Sequence, residues 1–277
     1  MTVEYEEEAV FAEIETQPRC AIVVPCYNEA SRLQSDRFLE FLRGHEDIRF
    51  LFVNDGSRDD TLSVLKTMQS GCEDRIQILD MIQNGGKAEA VRAGMLAAIA
   101  QGGVSYVGFW DADLATPLEA IPEFLEVIEG SDELEMVFGS RIRLLGRHVN
   151  RRAARHYLGR VFASVVSIVL RLPIYDTQCG AKVFRITPEL SQVLQDPFLS
   201  RWVFDVEILA RYIALHDGSS AFLHEAIYEL PLARWDDVAG SKVGAGDFLI
   251  AFLDILRIYR KYLLHHGPGS NEPLNKS

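Results

Sequence analysis

The sequence predicts an α/β protein built on one mostly parallel sheet with helices on both faces. Short apolar, β-branched runs alternate with helix-length patterned segments, and polar residues follow several of these runs. The chain has 277 residues, 48% of them hydrophobic, which is enough for one large core. Alternating strands and helices are typical of parallel sheets whose ligands bind at the carboxyl ends of the strands. We therefore look for chemistry in the residues that directly follow each strand.

Five strands are predicted in the first half of the chain. Their runs are rich in Val, Ile and Phe, as expected for strands that are buried on both faces. They cover residues 20–25, 48–54, 75–79, 104–110 and 134–139. The helices predicted between them cover about residues 29–44, 59–69, 86–100 and 117–129. Asp59 or Asp60 suits a helix N-cap, and Pro117 suits a first helical turn.

The second half is less regular. It predicts a basic helix over residues 150–172, a loop at 174–180, a strand at 181–186, a helix at 204–216, a strand at 220–230 and an amphipathic helix at 246–264. We expect one domain over residues 19–264, divided into halves at 19–140 and 141–264, because no linker divides the core. Residues 1–18 and 265–277 are expected to be disordered tails.

The charge of the chain is unevenly distributed. A net charge of −12 argues against general nucleic-acid binding, which requires a broad basic surface. The first 18 residues contain six glutamates and no basic residue, whereas residues 141–175 contain eight arginines, two histidines and no acidic residue. Such a basic segment in an acidic protein predicts a local anionic partner.

Cysteine usage and the N-terminus predict a cytoplasmic protein. The four cysteines form no CxxC pair, and the acidic N-terminus lacks the apolar region of a secretory signal. No segment contains the roughly 20 apolar residues needed to span a bilayer. The helices at 150–172 and 246–264 nevertheless have apolar faces. These faces leave three alternatives open: a completed core, a homodimer, or peripheral contact with the inner face of the membrane.

The sharpest chemical signal is Asp111-Ala112-Asp113, directly after the fourth strand. In extended backbone, residues two apart point to the same side, so two carboxylates converge at a strand end. Their repulsion is relieved by a divalent cation with oxygen ligands. The alternative is a solvated loop that happens to contain two aspartates.

Two other strand ends place polar groups beside this pair. Tyr27 follows the first strand, and Asp55 is the second residue of an Asn-Asp-Gly-Ser sequence at the end of the second strand, which is also a good turn without any ligand. Lys87 stands at the start of the third helix, where it could contact phosphates. A Walker motif is excluded because Ala88 replaces the required Ser or Thr, and no G-x-G-x-x-G follows the first strand.

An ordered set of motifs resembles a known family. VPCYNE begins at Val24, VNDGSRDDT at Val53, NGGKAEAVRAG at Asn84, DADLAT at Asp111, GSR at Gly139, DTQCGAKVF at Asp176, WVFDVEIL at Trp202 and GSKV at Gly240. Together they resemble the inverting family 2 glycosyltransferases of GT-A fold, with a Rossmann-like sheet. Within that family they are most similar to the dolichyl-phosphate β-glucosyltransferase and polyprenyl-phosphate hexosyltransferase branch.

The resemblance implies roles for individual residues. Implied donor-binding residues are Pro25, Tyr27, Glu29, Asp55, Lys87, Asp111 and Ala112. Asp113 and Asp111 are implied to hold Mg²⁺ or Mn²⁺, with Asp113 as the more direct ligand. Implied catalytic residues are Asp113, Asp176 and Asp205, with Asp176 serving as a general base or orienting the acceptor. Asp205 and the nearby Glu207 could instead only brace the acceptor loop.

The acceptor side is implied by the later motifs and the basic segment. The residues expected to bind the acceptor or its phosphate are Arg141, Arg147, Arg151, Gln178, Lys182 and Lys242, with Arg185 as an alternative to Lys182. Ala115 stands where mannosyl relatives often carry a Gln metal ligand, which favours glucose over mannose. The membrane helix that anchors the eukaryotic glucosyl enzymes is absent from this sequence.

The implied reaction is transfer of a hexose, preferably glucose from UDP-glucose, to a polyprenyl or dolichyl phosphate. Residues 19–140 are then the nucleotide-sugar half and residues 141–264 the acceptor half. One alternative is a family member that acts on a soluble or saccharide hydroxyl acceptor. A nucleotidyltransferase is the second alternative, although VPCYNE occupies the place of its usual Gly-rich basic loop.

Overall fold

The computed structural model describes residues 18–150, 153–236 and 245–264. A central sheet contains seven strands in the order β3-β2-β1-β4-β7-β5-β8. These strands are β1 (Cys20–Cys26), β2 (Ile48–Asp55), β3 (Ile76–Met81), β4 (Tyr106–Trp110), β5 (Met136–Ser140), β7 (Ala181–Arg185) and β8 (Ile227–Pro231). A separate two-stranded parallel sheet joins β6 (His148–Asn150) to β9 (Arg234–Asp236).

The central sheet is parallel except at one strand. β3, β2, β1 and β4 run parallel to one another, and β5 runs parallel to β8. β7 lies antiparallel between β4 and β5, and so joins the first half of the chain to the second within one sheet. The prediction of a mostly parallel sheet is confirmed.

Nine α-helices lie in the described residues. They are α1 (Ser35–Arg43), α2 (Thr61–Gln69), α3 (Lys87–Gln101), α4 (Ile121–Glu129), α5 (Ala153–Leu170), α6 (Pro188–Gln195), α7 (Phe204–Leu215), α8 (Ala221–Ala226) and α9 (Ala245–Ile258). A 3₁₀ turn at Leu118–Ala120 precedes α4, and a π-helical turn at Tyr259–Leu263 continues α9. Within the described residues, no helix combines the length and apolarity needed to cross a membrane.

The core lies on both faces of the sheet, as the strand pattern requires. Along β1, Ala21 and Val23 point into a core shared with α3, α5, α6, α7 and α9. Cys20, Ile22 and Val24 point into the opposite core, which is shared with α1, α2 and α4. Side chains of a strand alternate between faces, so the uninterrupted apolar run follows from burial on both sides. The predicted helices on both faces are confirmed.

Gly94 allows α3 to lie directly on the sheet. A Cβ at this position would stand 2.4 Å from Val23 Cγ1 and 2.8 Å from Val53 Cγ2, so only glycine permits this approach. The close packing brings the start of α3 to the carboxyl ends of β1 and β2. Lys87, the first residue of α3, therefore lies at the edge where ligands bind in such sheets.

The second half departs from the prediction in four places. The strand expected at 220–230 is α8 followed by β8, because Leu223 and Ala226 are buried at helical spacing and the short apolar run was ambiguous. Helix α6 and strands β6 and β9 were not predicted. The signal for α6 was present, because the Thr187 hydroxyl caps the helix by accepting from Leu190 N at 3.1 Å, and Pro188 follows it.

The helix expected over 29–44 begins only at Ser35. The residues before it form turns that rest on the next strand end: Glu29 N donates to Thr61 Oγ1 at 2.8 Å, and Asn28 N donates to Ser57 Oγ at 3.1 Å. These contacts hold residues 28 and 29 in turns, and Asn28 has a φ of 54°, which lies outside the right-handed helical region. The tails predicted at 1–18 and 265–277 lie outside the described residues, except for Pro18.

Candidate active site

The carboxyl ends of β2, β1 and β4 form one edge of the sheet. The three strands are adjacent and parallel, and Cys26 of β1 is in register with Asn54 of β2. The residues that follow them, at 27–29, 55–57 and 111–113, therefore share this edge. The sequence motifs that end each strand thus lie together, as the parallel sheet predicted.

Asp111 is paired with Lys87 at this edge. Lys87 Nζ lies 2.5 Å from Asp111 Oδ1, and both side chains are partly exposed. Burial acts to lower the pKa of Lys87, but the charges of Asp111 and Asp205 outweigh it and raise the pKa above its usual value. The ammonium group is therefore charged at neutral pH and supplies a cation beside the aspartate pair.

Gly180 makes room for the Asp111 carboxylate. A Cβ on Gly180 would lie 1.8 Å from Asp111 Oδ2 and 2.2 Å from its Cγ, so no other residue fits without moving the aspartate. The same two residues are joined through the backbone, since Asp111 N donates to Gly180 O at 2.9 Å. The acceptor half of the chain thus shapes the space in which the first aspartate of the pair lies.

Asp113 is held in a tight turn beside Asp111. Its Oδ1 accepts a hydrogen bond from Ala115 N at 3.0 Å, and the intervening Leu114 takes a positive φ of 54°. Burial raises the pKa of Asp113, and the negative charges of Asp111 and Glu29 raise it further. Three carboxylates near one another create a demand for positive charge that Lys87 only partly meets.

Asp55 closes the loop that precedes α3. Its carboxylate accepts from Asn84 Nδ2 at 2.8 Å, Gly85 N at 2.6 Å and Gly86 N at 2.9 Å. Burial raises the pKa of Asp55, while the two backbone amides act in the opposite direction. Its predicted contact with a base or ribose stays a prediction. In this structure both oxygens already serve the loop, leaving only the remaining lone pairs for a ligand.

The remaining predicted donor residues lie at the same edge. Pro25 is the sixth residue of β1, Tyr27 follows that strand partly exposed, and Ala112 is buried between the two aspartates. Glu29 pairs with Arg32 through Oε1 at 2.5 Å, whereas its buried Oε2 has no hydrogen-bond partner. A buried carboxylate oxygen without a donor is costly, so this atom is available to a ligand or an ordered water.

The residues at this edge fit a divalent cation. Asp111 and Asp113 offer hard oxygen ligands, and the space that Gly180 leaves fixes the position of one of them. Among the described residues, no cluster of three or more His, Cys, Asp or Glu side chains is arranged as a complete metal site. Mg²⁺ is commonly held by one or two carboxylates together with substrate phosphates, and that is the site type these residues match.

The acceptor half brings Asp176 and Arg141 together. Arg141 Nε and Nη2 donate to the two Asp176 oxygens at 2.6 and 2.7 Å. The backbone N–H groups of Arg141 and Gln178 donate to the same carboxylate at 3.1 and 3.2 Å. Burial opposes the charge of Arg141, but Asp176 outweighs it and raises the arginine pKa. A carboxylate bound in this way is a weak base, so the structure favours the orienting role for Asp176 over the general-base role.

Glu229 holds the loop that carries Asp176. Its carboxylate accepts from Tyr175 N at 2.7 Å and from Asp176 N at 2.8 Å. Burial raises the pKa of Glu229, and the two backbone hydrogen bonds counteract that effect. Sequence reasoning missed this residue because it lies 53 positions from Asp176 in the chain, in a strand without any recognisable motif.

Lys182 does not reach the acceptor surface. Its side chain is 0% exposed, its Nζ lies 2.6 Å from Asp205 Oδ1, and the ammonium also donates to Cys179 O. The rings of Phe109 and Phe138 enclose it, with centroids 5.1 and 4.9 Å from Nζ. The structure gives no support to the expectation that Lys182 binds an acceptor phosphate, because its charge is buried and already neutralised by Asp205.

Asp205 and Glu207 each form an ion pair inside the fold. Asp205 is buried against Lys182, and burial raises its pKa. Glu207 pairs with Arg211 at 2.7 Å and accepts from Leu199 N at 2.7 Å, so it braces the segment before α7. Bracing was the alternative reading of this motif, and the structure favours it over a catalytic role for Asp205.

Other predicted acceptor residues fall in different places. Arg185 donates to the carbonyls of Ile128, Ser131 and Leu134, so its guanidinium joins α4 to the sheet and is already engaged. Arg147 lies in the turn between β5 and β6, and Gln178 has a buried Nε2 without a hydrogen-bond partner. Arg151 and Lys242 lie outside the described residues.

Arg201 was also missed by sequence reasoning. Its Nη2 lies 3.4 Å from Asn84 O, and its positive charge acts to lower the pKa of Asp55. A Cβ on Gly86 would stand 3.1 Å from Arg201 Nε, so the glycine at the start of α3 leaves space for this side chain. Arg201 follows no strand and belongs to no phosphate-loop pattern, which is why only the folded chain identifies it.

These features define a class: an α/β protein whose carboxyl-edge site matches a cation and a phosphate-bearing ligand. Comparison with solved structures supports a GT-A fold. Glucosyl-3-phosphoglycerate synthase from Mycobacterium tuberculosis in complex with UDP has a TM-score of 0.58 at 16% identity, covering 88% of this chain and 80% of that one. Mannosyltransferase PcManGT from Pyrobaculum calidifontis, in complex with GDP-Man and Mn²⁺, has a TM-score of 0.55 at 18% identity, covering 88% and 63%.

Sequence comparison identifies the family. Residues 21–189 match the model of glycosyl transferase family 2. The dolichyl-phosphate beta-glucosyltransferase of Dictyostelium discoideum is 32% identical over 265 residues, which cover 88% of this chain and 75% of that protein. The human dolichyl-phosphate beta-glucosyltransferase is 30% identical over the same length and coverage. The chain belongs to glycosyl transferase family 2, and the predicted family resemblance is confirmed.

Proposed function

We propose that this chain transfers glucose from UDP-glucose to a polyprenyl phosphate such as dolichyl phosphate, with inversion at the anomeric carbon. The observation that carries the proposal is the pair Asp111 and Asp113 at the end of β4, with Lys87 2.5 Å from Asp111. Relatives at 30–32% identity that are named dolichyl-phosphate beta-glucosyltransferases support the choice of sugar and acceptor.

The donor is bound at the carboxyl edge of β1, β2 and β4. Asp113 and Asp111 would hold Mg²⁺ or Mn²⁺, which supplies positive charge to the diphosphate as the sugar–phosphate bond breaks. Lys87 lies within reach of the same phosphates. Asp55 fixes the loop at residues 84–86 that leads into α3, so it sets the position of Lys87. Pro25 and Tyr27 flank the place where the nucleoside lies.

The acceptor side favours an oxygen that needs no strong base. Four carboxylates that the structure describes on this side are engaged: Asp176 by Arg141, Asp205 by Lys182, Glu207 by Arg211, and Glu229 by two backbone amides. A hydroxyl acceptor requires a general base, whereas a phosphate is already anionic near neutral pH. The described residues of this half therefore suit a phosphate acceptor better than a sugar hydroxyl.

A lipid acceptor also sets where the protein works. The polyprenyl chain stays in a bilayer, so the site has to approach a membrane surface, and we place the protein there as a peripheral, cytoplasmic enzyme. The sugar, the nucleotide and the acceptor are tested together by incubating the protein with radiolabelled UDP-glucose or GDP-mannose, a divalent cation and polyprenyl phosphate, followed by solvent extraction.

The expected result is label in the organic phase with UDP-glucose only, and one UDP released for each glucolipid formed. Label that stays aqueous with every acceptor lipid would overturn the lipid-phosphate acceptor. Transfer from GDP-mannose instead would overturn the choice of donor. Release of pyrophosphate would point to nucleotidyl transfer and contradict the proposed chemistry.

A further inference from the structure

Helix α9 carries apolar side chains on its outer face as well as on its inner face. Ile255 and Ile258 are buried on the inner side together with Asp254, which is 5% exposed and accepts from Ser200 Oγ at 2.8 Å. Leu253 and Leu256 point outwards and are 49% and 53% exposed. The outer face of a helix that lies against water is usually polar, so the outer face of α9 suits a different environment.

Helix α5 adds a second apolar stripe. Val161, Ser164 and Ile168 are exposed at a spacing of three and four residues, which places them on one face of the helix. Val161 is 58% and Ile168 76% exposed, while Phe162 and Val166 on the inner face are buried. The exposed stripe contains no charged side chain until Arg171, directly after the helix.

The two stripes face the same side of the molecule. α5 and α9 both pack on α7, and they touch each other through the rings of Phe162 and Phe252, whose centroids are 5.9 Å apart. The faces turned away from α7 are therefore neighbours. We call the surface formed by the exposed residues of α5 and of α9 with its π-helical turn the α5–α9 face.

The charge of the α5–α9 face is positive, although the chain as a whole carries −12. Arg257, Arg260 and Lys261 are exposed beside the leucines of α9, and Arg171 is exposed at the end of α5. Helix α9 contains two acids, Asp247 and Asp254, of which Asp254 is buried and pairs with Arg257 at 2.8 Å, so the cations of these elements outnumber the acids. Leucines next to cations match the boundary between anionic headgroups and acyl chains.

The α5–α9 face is continuous with a groove that leads to the acceptor side of the site. Ser164 and Ile168 also line this groove, whose opposite wall is formed by Pro173, Ile174 and Tyr175. Arg160 lies at the same groove, with its guanidinium 3.7 Å from the centroid of the Tyr175 ring. Tyr175 immediately precedes Asp176 in the chain, so one wall of the groove belongs to the loop that carries the carboxylate paired with Arg141.

We infer that the α5–α9 face docks on an anionic lipid bilayer and that the groove beside it receives the hydrocarbon chain of the acceptor. The occupant is a bilayer because an apolar face rimmed by cations complements anionic headgroups, whereas a second copy docked through the same face would bring like charges together. The role of the groove rests on the proposed function. Docking of the face does not, and it can be tested without any sugar transfer.

Docking is measured by flotation of the full chain with vesicles of phosphatidylcholine alone, and with vesicles that contain one third phosphatidylglycerol, both free of polyprenyl phosphate. The wild-type chain is expected to float with the anionic vesicles and to remain in solution with the neutral ones. Leu253→Gln/Leu256→Gln and Arg260→Glu/Lys261→Glu are each expected to weaken this binding by about tenfold or more. Ile82→Gln is the matched control, because Ile82 is 98% exposed at the end of β3, and its binding should equal that of wild type.

Two results would overturn docking: wild-type protein that remains in solution with anionic vesicles, or double variants that bind as tightly as Ile82→Gln. A wild-type dimer that the leucine variant converts to a monomer, without vesicle binding by either, would assign the face to a second copy instead. Circular dichroism and thermal melting show whether each variant is folded, and Leu253→Ala/Leu256→Ala provides a milder replacement if the glutamine variant is not.

The groove is tested separately with detergent-solubilised polyprenyl phosphate, where docking is not required. Ile168→Asp is expected to raise the KM for the lipid about tenfold and to leave the KM for UDP-glucose unchanged. An unchanged lipid KM would overturn the groove assignment while leaving docking intact. Absence of any transfer by wild type would count against the proposed function and not against the vesicle result.

Discussion

The donor edge and the acceptor half of this molecule use charge in opposite ways. At the donor edge, Asp111, Asp113 and Glu29 lie near one another, with Lys87 paired to Asp111 and Arg32 paired to Glu29. In the acceptor half, three buried acidic side chains, Asp176, Asp205 and Glu207, are each neutralised by one cation inside the fold, Arg141, Lys182 and Arg211 respectively. The first arrangement suits the binding of a charged ligand, whereas the second joins segments of the folded chain.

This difference distinguishes residues that bind ligands from residues that stabilise the fold. A cluster of carboxylates is costly to the folded protein and is therefore expected where a ligand compensates it. A buried pair adds little net stability, but breaking it leaves a charge without a partner. Substitutions on the two sides should accordingly affect different measurements.

The largest effect is expected for Asp113→Asn. Loss of one carboxylate at the cation site should lower the transfer rate by about 10³-fold or more. Burial and the charge of Asp111 raise the pKa of Asp113, so the charged carboxylate costs the folded state free energy that a neutral asparagine does not, and asparagine retains the oxygen that accepts from Ala115 N. Thermal melting should therefore show a melting temperature equal to wild type or higher. Full activity in this variant would contradict the assigned role.

For Asp176→Asn we expect the opposite of Asp113→Asn, namely a large loss of stability. It leaves the buried Arg141 without its charged partner, which costs about 3–5 kcal/mol of unfolding free energy. Denaturant unfolding measures this loss. The double variant Arg141→Met/Asp176→Leu serves as the control, because it removes both charges and should lose less than the sum of the single variants. A stability equal to wild type for Asp176→Asn would remove the distinction between the two halves.

Gly180→Ala tests the contact between the halves. The new Cβ would meet Asp111 Oδ2 at 1.8 Å, so the carboxylate has to move by about an ångström or more. Displacement of this size at a reacting site costs about 10²-fold in rate. Steady-state kinetics at several Mn²⁺ concentrations should show a lower kcat and a higher metal requirement. Gly44→Ala is the control, since its nearest neighbour, Phe41 O, would be 3.9 Å from the new Cβ, and it should behave as wild type.

The smallest effect is expected for Lys87→Met. Removing the ammonium from Asp111 frees that carboxylate, so Mn²⁺ should bind the nucleotide-free protein a few-fold more tightly, by roughly 1 kcal/mol or less for a partly exposed pair. Titration followed by electron paramagnetic resonance of free Mn²⁺ measures the change. Weaker Mn²⁺ binding by the variant would mean that Lys87 does not compete with a cation at Asp111.

The two halves also differ in how far the sequence alone could predict them. In the first half, β1, β2 and β4 are buried on both faces and their polar ends meet at one edge. The local sequence pattern was therefore enough to predict that Asp55, Asp111 and Lys87 lie close together. In the second half, residues 220–230 divide into α8 and β8, and an apolar run of that length does not distinguish helix from strand.

Long-range contacts explain the remaining differences at the site. Gly180 is 69 positions from Asp111, and Glu229 is 53 from Asp176, so their roles appear only when β7 inserts between β4 and β5 and β8 joins β5. Lys182 was predicted to contact phosphate because it is a cation within an acceptor motif. Its position in β7 decides otherwise, since strand alternation turns the side chain into the core towards Asp205.

The proposed donor site depends on Asp111 and Asp113 holding a cation that also binds the diphosphate of a sugar donor. Crystals of the protein soaked with MnCl₂ and UDP test this directly through the anomalous signal of manganese. We expect Mn²⁺ in contact with the Asp113 carboxylate and the UDP phosphates, with the uridine beside Tyr27 and Lys87 Nζ turned from Asp111 towards the phosphates. If neither manganese nor nucleotide is found at this edge under saturating ligand, Asp111 and Asp113 do not form the proposed cation and donor site.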